Sequence, residues 1–90
     1  MRLGEDLVVL AWAIAANSGD TLRPEPLLTE ALPMCMATTS KPILAHFHYF
    51  AGRTYKALKG SEKAIEHFLK ATEIDRTGRY GRLARLEIPI

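Results

Sequence analysis

The sequence predicts an all-α fold. No stretch sustains an alternation of period two, and Val8-Val9 is the one doublet of β-branched aliphatic residues. Apolar residues instead recur at helical spacing. Turn formers at Gly19-Asp20, Pro24-Glu25-Pro26, Thr39-Ser40-Lys41-Pro42, Gly60-Ser61 and Gly78 cut the chain into segments of helix length.

A first helix is expected over residues 5–17, stopped by Gly19. Its run Leu7 to Ala16 is ten apolar residues, half of the roughly 20 a bilayer span needs. Arg2 before the run and Ala13-Ile14-Ala15 near its end look like a weak signal peptide, but Glu5 and Asp6 stand where positive charge belongs. A fully buried core helix is the expectation. A second helix is expected over residues 25–38, kinked or shortened by Pro33.

The third helix, residues 42–59, is the clearest. Ile43, Leu44, Phe47, Phe50, Ala51, Tyr55 and Leu58 form one stripe of a 3.6-residue period. Ser40 is suited to cap it, Pro42 fits its first turn, and Gly60 is expected to stop it. The fourth runs over 61–75, with Ser61 as N-cap. Its inner face is expected to hold Ala64, Ile65, Phe68, Leu69, Ala71, Thr72 and Ile74. The short link makes the third and fourth helices an antiparallel hairpin. A last basic helix spans 79–87, with Leu83 and Leu86 inward and Pro89 ending it.

Ninety residues make one small domain with a thin core. Its parts are a first hairpin (5–38), a second (42–75) and a C-terminal helix (79–87). The single cysteine, Cys35, excludes an internal disulfide framework and fits a reducing, cytoplasmic setting. Net charge is only +2, yet residues 1–40 carry two Arg against five acids, and residues 41–90 ten Lys/Arg against five acids. The halves are electrically complementary, which favours head-to-tail association or an acidic partner at the basic end.

Residues 45–78 resemble a tetratricopeptide repeat (TPR), whose pattern is W-x2-L-G-x2-Y, then A-x3-F, then P. Gly52, Tyr55, Ala64, Phe68 and Ala71 match at the right spacing. His48 replaces the Trp, Ala51 the Leu and Arg76 the terminal Pro, and Gly60 comes one residue late. The first half of the chain echoes the period loosely. Small Gly52 and Ala64 suit a close helix crossing, with Tyr55 and Phe68 filling the space beside it.

The resemblance implies two hairpins and a capping helix in a short right-handed α-solenoid. It also implies capture of a partner's peptide or helix in a concave groove lined by the first helix of each hairpin. On that geometry His46, Tyr49, Arg53 and Lys56 face the groove and suit an acidic or aromatic segment. The Lys and Asn of chaperone-tail clamps are replaced by Tyr49 and Arg53, so that ligand is not expected. Short solenoids are rarely stable alone, so a homo-oligomer or a place in a larger complex is expected.

Catalytic and metal chemistry find little support. His46 and His48 point about 200° apart on a helix and cannot share a metal. Met34-Cys35-Met36 fan out in the same way. A nucleophilic Cys35 needs a base such as His67, and nothing in the spacing places the two together. No metal, cofactor or catalytic residue is therefore expected. Arg76, Arg79, Arg82 and Arg85 recur every third residue as a basic stripe beside Tyr80. Binding nucleic acid or phosphate through that stripe is the alternative to a protein-interaction role.

Overall fold

A computed structural model describes residues 3–37 and 40–88. Thr38, the expected end of the second helix, and Pro89, the expected stop of the last, lie outside the described residues. Five helices follow in order: α1 (Leu3–Asn17), α2 (Pro24–Met36), α3 (Lys41–Ala57), α4 (Ser61–Ile74) and α5 (Arg79–Glu87). No strand occurs among the described residues, so the all-α expectation holds.

Each helix packs on the next, and α3 also touches α1 and α5. Thus α1, α3 and α5 lie side by side in one layer, with α2 and α4 in the other. The Cα extents of 35 × 33 × 17 Å are those of a slab two helices thick.

Burial follows from that arrangement. Helix α1 is covered only by α2 and α3, so it buries one stripe, Gly4, Val8, Ala11 and Ala15. Leu10 and Ala16 are exposed, which corrects the expectation of an all-round core helix. A link from Ser18 to Arg23 follows, held by Asp20, whose Oδ1 accepts from the backbone N–H of Leu22 (2.8 Å) and Arg23 (3.2 Å). Helix α2 continues past Pro33 to Met36, with the Pro33 ring facing solvent and Leu28, Ala31 and Cys35 facing the core.

Helix α3 is the hub, touched by all four others. Its buried residues (Ala45 to Tyr49, Ala51, Gly52 and Thr54) surround the axis rather than form the single expected stripe. The α3–α4 turn is closed by Gly60 N–H donating to the Tyr55 carbonyl (2.8 Å) and Lys59 N–H to that of Lys56 (3.1 Å). The left-handed residue is Lys59 (φ 65°), so the glycine that looks one place late is not the one that turns the chain. Ser61 is the first helical residue of α4, and Gly60 takes the N-cap position. Ala64, Phe68 and Ala71 are buried, whereas Leu69 is exposed. On α5, Gly81 and Ala84 face inward, while Leu86 is 82% exposed rather than inward, since no other described helix covers that side.

Two clusters result. Val8, Ala11, Leu28, Ala31 and Cys35 pack around Phe47 and Ala51 of α3. Ala45, Tyr49, Ala64, Phe68, Ala71 and Ala84 form the second, with Tyr55 against it. Gly52 lies where a Cβ would stand 2.6 Å from the Phe68 ring, so only glycine allows this crossing.

Candidate functional site

The four residues expected to line an open groove lie along one side of α3, but that side is largely covered. His46 is 9% and Tyr49 6% exposed, which corrects their assignment as solvent-facing ligand contacts. The cause is α5: Tyr80 packs its ring edge-on to His46 at 4.8 Å and tilted against Tyr49 at 5.7 Å. Phe50 joins them, 4.8 Å from His46 and 5.5 Å from Trp12 of α1.

The cations of this side are already paired. Arg53 donates to the Tyr49 hydroxyl (2.8 Å) and lies 5.1 Å from the centroid of the Trp12 ring. Glu87 of α5 reaches Lys56 Nζ at 3.2 Å and Arg53 Nε at 3.8 Å. Arg53 is half-buried and Lys56 exposed, so both stand at the rim with their charge partly answered from within.

Negative charge on the same layer is less compensated. A cleft of about 290 Å³ opens between the start of α1, the start of α3 and Tyr80. Its lining joins the carboxylates Glu5 and Asp6 to Val9, Pro42, Ile43, His46 and Tyr80. His46 Nδ1 has no hydrogen-bond partner among the described residues. Burial lowers the pKa of His46, partly offset by the charges of Glu5 and Asp6. Spacing along the chain carries no signal for this cleft, because its seven lining residues come from three separate helices.

A second polar group joins the hairpins. His48 and His67 face each other with their Nδ1 atoms 2.9 Å apart. Tyr55 stacks on His67 at an interplanar angle of 4°, and its hydroxyl donates to Glu25 of α2 (2.9 Å). Burial, then the charges of His67 and Lys70, push His48 down to about 4; burial also lowers His67. Burial and the bond to Glu25 raise Tyr55 to about 12, and that same bond, with Lys63, lowers Glu25. Of the five motif residues, Gly52, Ala64, Phe68 and Ala71 meet at the α3–α4 crossing, and Tyr55 extends it towards α2.

Cys35 is a buried free thiol whose pKa is raised by burial and then by the charge of Glu5, the opposite of nucleophile activation. Met34 and Met36 are exposed beside it, so the three sulfurs diverge. Among the described residues, no group of three or more His, Cys, Asp or Glu stands close enough to hold a metal ion. No helix there is long and apolar enough to cross a membrane. Arg76, Arg79, Arg82 and Arg85 are all exposed, with Arg79 lying 5.5 Å from the Tyr80 ring centroid. Comparison with protein-family models, curated proteins and solved structures gave no match in any of the three.

Proposed function

We propose that the chain is a non-catalytic protein-interaction module, a scaffold or adaptor of TPR-like build. It takes a peptide or helix of a partner protein, or joins subunits of a larger complex. The observation that carries this reading is the single layer formed by α1, α3 and α5, with α2 and α4 behind it. That is the layout in which the first helix of each hairpin lines a binding face. His46 and Tyr49 then serve as the wall of that face, while Arg53 and Lys56 act at its rim. Exposed Leu10, Leu22, Leu32, Met34 and Met36 on the first hairpin, with Leu69 and Leu86 on the last two helices, favour self-association or a place in a larger complex. A buried thiol as the sole cysteine fits a cytoplasmic setting.

Selection from a displayed peptide library tests the reading. It predicts peptides that bind the wild type and weaken on Arg53→Ala plus Lys56→Ala. Recovery only of peptides indifferent to every change on the α1–α3–α5 layer contradicts it. The exposed arginine stripe favours nucleic-acid binding as a second reading. In that case affinity falls steeply with salt and drops on Arg79→Ala plus Arg82→Ala.

A further inference from the structure

We propose that the cleft between α1, α3 and α5 receives a basic side chain, lysine or arginine, from the partner protein; this rests on the protein-interaction reading above. The complementary halves of the sequence favour an acidic partner at the basic end. Geometry reverses that sign at this place. The cations that were to attract acid, Arg53 and Lys56, already face Glu87. Glu5 and Asp6 meet no cation within ion-pair distance among the described residues.

Three features give the cleft its ligand chemistry. The two carboxylates supply charge for an ammonium or guanidinium group. Val9 and Ile43 offer apolar wall for its methylene stem. Tyr80 adds aromatic surface to the same lining, with the guanidinium of Arg79 already 5.5 Å from its ring centroid. His46 lines the same cleft, 9% exposed, and its Nδ1 has no hydrogen-bond partner among the described residues. A metal ion is a poorer occupant, since no three ligating side chains converge. A neutral side chain leaves both carboxylates unanswered.

The experiment is an NMR titration of the whole chain with Nα-acetyl-arginine methylamide, and with the uncharged citrulline analogue as the second arm. The proposal predicts saturable shifts at the Val9 and Ile43 methyls and at the His46 and Tyr80 rings. Affinity is expected to fall at least about ten-fold for citrulline, the ratio that one lost charge-assisted hydrogen bond brings. Glu5→Gln plus Asp6→Asn brings a similar fall, while Glu62→Gln on the exposed side of α4 leaves binding unchanged. The citrulline arm decides the matter even if the double variant loses helicity.

Equal binding of both probes, or shifts scattered over the surface without saturation, overturns the proposal. The same residues shifting with protein concentration alone would assign the cleft to a second copy of the chain and overturn the partner protein as its source. The two readings fail separately. Library peptides that bind the layer but carry no basic residue remove the cleft assignment alone. Arginine bound in the cleft, with no layer-dependent peptide recovered, removes the interaction-module reading alone.

Discussion

The two hairpins are built on different terms. In the second, α3 and α4 are joined by a tight turn and cross at Gly52 with Phe68 filling the contact. In the first, α1 and α2 are joined by a longer link and meet through small residues: Val8, Ala11, Ala31 and Cys35, with Leu28 the largest side chain they share. Phe47 of α3 completes that first cluster, whereas neither α1 nor α2 supplies a buried residue to the second. The first hairpin therefore leans on the second. An aromatic-filled crossing stands by itself, while an alanine-lined one needs a neighbour to reach enough buried area.

The largest expected effects separate the two aromatic anchors. Phe68→Ala costs about 3–5 kcal/mol and loosens every helix, because α4 and α5 lose their common support. Phe47→Ala costs a similar amount but frees the amides of α1 and α2 first. Native-state hydrogen exchange distinguishes them, and uniform loss of protection in both variants would break the asymmetry. Gly52→Ala follows, at about 1–3 kcal/mol, since the added methyl meets a ring that is 1% exposed and has nowhere to go. Urea melts that show no loss would mean the crossing is looser than described.

Acid comes next. His48 and His67 are held neutral in the fold, so the native chain resists protons that the unfolded chain takes up below pH 6.5. Stability is intact above that value and falls as pH drops towards about 4. Between pH 7 and 5, His48 alone contributes a loss of about 2 kcal/mol. Urea melts at the two pH values read it, and an unchanged midpoint contradicts the buried pair. The smallest effect is a gain: Lys59→Gly relieves a left-handed lysine and is expected to stabilise by about 0.5–1 kcal/mol, seen as a higher melting midpoint.

Much of the fold was readable in the sequence, because it follows from local chemistry. All five helices lie where the turn formers and apolar spacing put them, and the α3–α4 hairpin shows in its spacing. What escaped was set by neighbours. Leu69 and Leu86 fit an inward pattern and are exposed because none of the other described helices covers them. His46 and Tyr49 read as a polar face, and α5 buries them through Tyr80. The acidic cleft and the His48–His67 pair join residues far apart in sequence, so spacing within one helix carries no trace of them.

The most direct test of the central claim, that the chain works through its α1–α3–α5 layer, is chemical-shift mapping of a library-selected peptide on the intact protein. Shifts are expected along Val9, Trp12, Arg53, Lys56 and Tyr80, with α2 and the outer side of α4 silent. Shifts confined to α2 and α4 would contradict it.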